Sequence, residues 1–252
     1  MPLYPEFKGR SVIVTGAAQG IGAVTALEFA KNGANVALVD IDEAGAREVA
    51  KQFKGGRALV VRTDVKDDQS VDAAIARVAA EFGGIDVVVN CAGGYGRLAT
   101  VEDTPLDEWD NTIALNLRSV YLMSRATIPH LKKSKAGRII NVASISGRTV
   151  TAASSPAYGS AKAAVIQLTR FLAHQLGPDG ITANVIAPIT TLTPRVKALR
   201  TEDDIKRIAA QVPLRRLAEP EDSAQTMLFL ASDGAAYLNG VVLDVNGGRV
   251  MM

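Results

Sequence analysis

The chain has 252 residues, 48% hydrophobic and 21% charged, which is enough to bury a substantial core and excludes a disordered chain. Lys plus Arg number 28 against 26 Asp plus Glu, a net charge of +2, which argues against the basic block or stripe that nucleic acid or a membrane surface would need. One cysteine, Cys91, excludes an intramolecular disulfide, and no apolar run approaches the ~18 residues of a membrane span.

In chain order, strand-like and helix-like segments alternate. Residues 11–15 form a β-branched run, 20–32 show helical periodicity and 35–39 are again apolar. A helix is predicted over 43–53, a strand over 57–62, a helix over 70–82 and a strand over 85–90. A long helical region, 106–130, precedes a strand at 138–142, a helix at 156–176 and a strand at 182–186. A helix at 220–232 and a strand at 241–245 close the pattern. The seven strands are continuous apolar runs, as expected when helices cover both faces of a parallel sheet. No repeat or linker divides the chain, so a single α/β domain is expected, a doubly wound parallel sheet. The least regular stretch, 188–203, is where a mobile lid is expected. The N-terminal residues lack an apolar signal core, so a reducing, cytoplasmic setting is expected.

The first strand runs into Thr15-Gly16-Ala17-Ala18-Gln19-Gly20-Ile21-Gly22, which opens a helix. Gly16 permits a tight turn, Gly20 lets the backbone approach a pyrophosphate, and Gly22 lets helix and strand pack closely. The free N–H groups and the positive end of the helix then face the phosphates. Asp40 closes the second strand, 18 residues beyond Gly22. A carboxylate there accepts from ribose hydroxyls and repels a 2′-phosphate, which favours NAD over NADP. Gln19 in the turn and Ile41 after Asp40 provide no compensating cation. The bland alternative is that Asp40 merely caps a helix.

Tyr158 and Lys162, in Tyr158-Gly159-Ser160-Ala161-Lys162, lie four apart and share one helix face. A phenol with pKa near ~10 is a poor base at neutral pH. A neighbouring ammonium, with a positive nicotinamide ring, stabilises phenolate and lets such a Tyr exchange a proton with an alcohol or carbonyl. Alone, such a Tyr usually packs and such a Lys is usually solvated. The Gly-x-x-x-Gly-x-Gly spacing together with Tyr-x-x-x-Lys resembles the short-chain dehydrogenase/reductase family. The resemblance runs from Gly9 to Gly248. It takes in Asp64-Val65, Asn90-Cys91-Ala92-Gly93, Asn116, Ser144, Pro188, Leu238-Asn239-Gly240 and Val245-Asn246-Gly247-Gly248.

The resemblance implies a Rossmann-type fold and an alcohol or carbonyl oxidoreductase, commonly a homotetramer. It implies catalytic roles for Ser144, Tyr158 and Lys162, and a relay water held with the help of Asn116. Cofactor contacts are implied for Gly16, Gln19, Gly20, Ile21, Gly22, Asp40, Ile41, Asp64, Val65, Asn90, Ala92 and Gly93. Tyr158, Lys162, Pro188, Ile189, Thr191 and Thr193 complete that set. Cys91 stands where the family usually has a second Asn and is expected to brace the sheet interior. Ile189 replaces a usual Gly, and Ser144 to Tyr158 is one residue longer than common.

The substrate pocket is expected after Gly93, in the loop 145–157 and in 188–203. Tyr95, Ser144, Ser146, Arg148, Ser154 and Tyr158 are its candidate contacts. Arg97, Arg148 and Arg195 are candidates for pairing with a substrate carboxylate, against the plainer reading of solvated surface charge. The favoured activity is NAD-dependent oxidation of a sugar, polyol or cyclic alcohol. The alternatives are an NADP-dependent 3-oxoacyl-thioester reductase and a non-catalytic dinucleotide-binding regulator. His130 and His174 match no family position, and no metal is expected.

Overall fold

The computed structural model describes residues 4–151 and 154–251. The first three residues, Ala152 and Ala153 of the predicted pocket loop, and Met252 of the apolar tail lie outside the described residues. The elements run β1 (Ser11–Thr15), α1 (Gly20–Lys31), β2 (Asn35–Asp40), α2 (Glu43–Ala50), β3 (Ala58–Arg62) and α3 (Asp68–Phe82). Then come β4 (Val87–Asn90), α4 (Leu106–Ile113), α5 (Ser119–Leu131), β5 (Arg138–Val142) and α6 (Pro156–Leu176). Last are β6 (Thr182–Pro188), α7 (Pro194–Leu199), α8 (Glu202–Ala209), α9 (Pro220–Ala231) and β7 (Val242–Val245).

The strands form one seven-stranded sheet in the order β3-β2-β1-β4-β5-β6-β7. Every pairing is parallel. β1 is buried along its whole length. Its side chains alternate between two cores: Val12 and Val14 join the layer that includes α1 and α9, and Ile13 joins the layer of α3, α5 and α6. A strand covered on both faces has no polar side to present, which is why its sequence does not alternate. β1 and β4 are neighbours from which the strand order runs outward in both directions. A crevice opens beyond the carboxyl ends at such a switch point.

Local signals set the helix ends. Asp42 accepts from the Gly45 amide and Asp67 from the Ser70 amide. Ser155 accepts from the Tyr158 amide at 3.3 Å, with Pro156 as the first helical residue, so α6 starts where Tyr158 must stand.

Two expectations change. The helix predicted over 106–130 is interrupted by one π turn, Ala114–Arg118, centred on Asn116. The stretch 188–203, expected to be irregular, holds α7 and the start of α8. Thr193 caps α7 through the Val196 amide, ahead of Pro194. Thr201 and Asp204 form a capping box on α8.

Candidate active site

A cleft of about 990 Å³ lies at the switch point. Its floor is the junction of β1 and β4. Thr15 Oγ1 accepts from the amides of Cys91 and Ala92 at 3.0 and 2.9 Å. Gly16 sits at φ +66°, and a Cβ there would lie 2.9 Å from Ala92 Cα. A Cβ on Gly22 would lie 2.1 Å from the Gly16 carbonyl oxygen. Only glycine permits these approaches. Gln19 makes no side-chain cap to α1, so the first amides of that helix remain available. Bare backbone, a helix N-terminus and the crevice fit the pyrophosphate of a dinucleotide.

Asp40 lines the same cleft. Its Oδ2 accepts from the Ala18 amide at 2.9 Å and its Oδ1 from the Asp42 amide at 3.0 Å. Both oxygens are thereby oriented and each keeps acceptor capacity. Exposed Ile41 lies beside it. Gln19, Gly20, Ile21, Asp64, Val65, Ala92, Gly93, Pro188, Ile189, Thr191 and Thr193 also line the cleft. Asn90 does not. It is 2% exposed, and its side-chain amide donates to Asn141 inside the sheet. Its side chain is turned to the neighbouring strand, so it does not contribute to the cleft lining where the cofactor contact was expected. Cys91 is half-buried, packs against the core layer of α1 and α9 as expected, and also lines the cleft. Burial pushes its thiol up to about 12, so it is not a reactive thiolate.

Ser144, Tyr158 and Lys162 converge on the other side. Tyr158 is half-buried on the cleft wall. Lys162, 3% exposed, donates through Nζ to the Val142 carbonyl at 2.8 Å. Nζ lies 5.6 Å from the centre of the Tyr158 ring. Burial pushes the Tyr158 phenol up to about 12, while the Ser144 hydroxyl and the Arg195 charge favour phenolate. The expected lowering by Lys162 is therefore not realised here. The ammonium is directed at Val142, and burial outweighs the helping charges. Lys162 itself is lowered to about 8 by its own burial.

Asn116 is fully buried in the π turn. Its Oδ1 accepts from the Gly94 amide at 3.0 Å, and its Nδ2 donates to the carbonyls of Gly94 and Thr112, each at 2.9 Å. Gly93 lies between Asn116 Oδ1 and Lys162 Nζ, with no room for a side chain.

Of the predicted substrate contacts, Tyr95, Ser144, Ser146, Tyr158 and Arg195 line the cleft. Arg148 does not: its Nε and Nη2 donate to the two oxygens of Asp244 on β7, each at 3.1 Å. Its charge is already paired, so it is not available to a substrate carboxylate. Ser154 and Arg97 face a separate small pocket with Asp103 and Thr100. Arg97 donates there to the Asp103 carbonyl. Both leave the list of contacts. Arg200 falls in the expected segment 188–203, whereas sequence reasoning missed Arg207, Gln211, Arg249 and Val250 as lining residues. No local motif marks them. Arg249 reaches the cleft because it donates to Gln211, 38 residues away. Among the described residues no three His, Cys, Asp or Glu side chains converge on a metal site.

Comparison with known proteins agrees with this architecture. The family model described as "Enoyl-(Acyl carrier protein) reductase" matches residues 16–249. The chain is 42% identical, over 96% of its length and 97% of the relative's, to the cis-4-hydroxycyclohexanecarboxylate dehydrogenase of Sinomonas cyclohexanicum. It is 39% identical, over 95% of its length and 92% of the relative's, to the D-threitol dehydrogenase of Mycolicibacterium smegmatis. A solved structure of a 3-ketoacyl-(acyl-carrier-protein) reductase from Brucella melitensis, complexed with NADH, superimposes with a TM-score of 0.89 at 35% identity. That match covers 97% of this chain and 100% of the other. With the Rossmann-type sheet and these full-length relatives, the chain belongs to the short-chain dehydrogenase/reductase family and is an oxidoreductase of the CH–OH/C=O kind.

Proposed function

We propose that the whole chain acts as one domain, an NAD-dependent oxidoreductase that interconverts a secondary alcohol and a ketone on a small polar substrate. The observation that carries this reading is Tyr158 on the cleft wall beside Ser144, with buried Lys162 one turn further along α6. The turn from Gly16 to Gly22 would hold the pyrophosphate and Asp40 the adenosine ribose. Bound there, the nicotinamide supplies hydride transfer and, when oxidised, a positive charge beside the phenol.

The chain's own residues manage the proton. In the oxidative direction Tyr158 Oη accepts the proton of the substrate hydroxyl; in the reductive direction it returns one to the carbonyl oxygen. A phenol held near 12 by burial carries its proton at neutral pH, so the oxidative direction needs the positive charge of the oxidised nicotinamide to bring that pKa down. The Ser144 hydroxyl hydrogen-bonds the same substrate oxygen as charge gathers on it. Lys162 lines the cleft and is fixed there by the Val142 carbonyl. The Asn116 side chain is engaged with Gly94 and Thr112, so it clamps the loop beside Lys162. A relay water would use the main chain of the π turn.

Asp40 and the absence of a cation at positions 19 and 41 support NAD over NADP. The similarity to a protein named as a 3-ketoacyl reductase favours a second reading, 3-oxoacyl-thioester reduction. The names of the cyclohexanecarboxylate and threitol dehydrogenases support the first. A homotetramer in the cytoplasm completes the reading, supported by exposed Tyr121 and Phe171 on α5 and α6 and by the single cysteine. The test is turnover of a panel of polyols, cyclic alcohols, hydroxy acids and 3-oxoacyl thioesters with NAD(H) and with NADP(H). Turnover confined to NADP(H) refutes the cofactor assignment. A Tyr158→Phe protein that still turns over refutes the mechanism.

A further inference from the structure

The charges lining the cleft are divided by the topology. Its carboxylates, Asp40 and Asp64, follow β2 and β3. Both are held by backbone amides, Asp40 by Ala18 and Asp42 and Asp64 by Lys66. Tyr158 and Ser144 lie across the switch point, beyond β5. The segments after β6 and β7 bring Arg195, Arg200, Arg207 and Arg249 to the lining. Arg207 is paired with Asp204 at 2.7 Å. Among the described residues, Arg195, Arg200 and Arg249 form no ion pair; Arg249 has the neutral Gln211 as its partner.

Arg195 stands closest to the chemistry. Its guanidinium lies 5.4 Å from the centre of the Tyr95 ring, and that ring meets the Tyr158 ring edge-on at 6.0 Å. Its Nη2 donates to the Tyr95 carbonyl at 3.0 Å. This bond and the ring beneath fix the guanidinium plane without neutralising its charge. A Cβ on Gly94 would lie 3.0 Å from Nη1, so the glycine lets the guanidinium lie close against the 94–95 main chain. Two large apolar side chains also face the cleft while exposed to solvent, Leu98 at 49% and Val150 at 99%.

We infer that the substrate is a hydroxy acid, or the matching keto acid, whose carboxylate pairs with Arg195 and whose compact hydrocarbon body rests on Leu98 and Val150. The inference rests on the oxidoreductase reading and narrows it. A guanidinium fixed by one hydrogen bond keeps further N–H donors and its full charge for the oxygens of a carboxylate. A polyol would leave that charge unanswered and would gain nothing from the two apolar side chains.

The test separates charge from shape. Cyclohexanecarboxylate and its uncharged carboxamide lack the reacting hydroxyl and have similar outlines. Their binding to the protein saturated with NADH is measured by calorimetry. The acid is expected to bind roughly 10-fold tighter or better, the range of a charge-assisted hydrogen bond. Arg195→Met brings the ratio toward one, and Arg195→Lys retains part of it. Equal binding of the two compounds, binding of neither, or an unchanged ratio in Arg195→Met overturns the inference. A purely structural role for Arg195 would weaken both compounds together and leave the ratio intact. Turnover provides the second arm. A wild-type protein that oxidises neutral alcohols in preference to hydroxy acids sinks this inference and leaves the oxidoreductase reading standing. Loss of the oxidoreductase reading shows instead as silence toward every alcohol and ketone tested.

Discussion

Lys162→Met should make the protein more stable and, on the proposed mechanism, nearly inactive. Lys162 is 3% exposed, and burial lowers its pKa from the ordinary 10.5 to about 8. At ~1.4 kcal/mol for each tenfold change in proton affinity, that drop corresponds to about 3 kcal/mol of cost for holding the ammonium at neutral pH. Methionine fills a similar volume and carries no charge. It also leaves the Val142 carbonyl without its 2.8 Å donor, which costs about 1 kcal/mol or somewhat more. The net expectation is a gain of about 1–2 kcal/mol, or several degrees in Tm at ~2–4 °C per kcal/mol. The sign of the pH effect follows from the lowered pKa. Between about pH 8 and 10.5 the folded wild type binds fewer protons at this site than the unfolded chain. The wild type therefore recovers stability as pH rises through that window, and the cost is fully present below it. Lys162→Met lacks that rise. Urea unfolding at pH 7 and pH 9.5, for both proteins, measures it. A variant less stable than wild type by more than about 1 kcal/mol at pH 7 would refute the reasoning.

Three further outcomes are expected. Tyr158→Phe should lower kcat by roughly 10²–10⁴-fold, the usual worth of a positioned acid/base, while NAD⁺ binding persists in a fluorescence titration; retained turnover would count against the proton path. Asp40→Ala should reduce kcat/KM for NAD⁺ by roughly 10–100-fold and narrow the gap to NADP⁺, as expected for a lost pair of charge-assisted hydrogen bonds; steady-state kinetics with both cofactors decide it. Arg148→Ala should cost about 1–3 kcal/mol by leaving Asp244, 18% exposed, without its bidentate partner. A double-mutant cycle with Asp244→Asn would return a coupling near zero if the pair were idle.

Much of the architecture is written locally. The apolar runs of β1, β4 and β5 state that both faces of the sheet are covered. Ser155-Pro156 marks the start of α6. The glycine turn and the Tyr158–Lys162 spacing also depend on short-range geometry: one turn of chain, or one turn of helix. Elements whose signal spans four or five residues are therefore readable without neighbours. The π turn at Asn116 is not. It has the composition of an ordinary helix, and it forms around contacts to Gly94, 22 residues away.

The roles of the charged residues divide in the same way. By itself the sequence determined the sheet and the long helices that cover it, the glycine turn, and the shared helix face of Tyr158 and Lys162. Those features depend on steric freedom and periodicity that a short segment carries within itself. Only the tertiary structure decided which arginines are available. Arg148 and Arg195 look alike in the chain, yet one meets Asp244 across 96 residues and the other, among the described residues, meets a ring and a carbonyl and no carboxylate. Whether a charge is paired is set by what the fold brings within ~4 Å of it, and that distance is fixed by how the segments after β5, β6 and β7 come together.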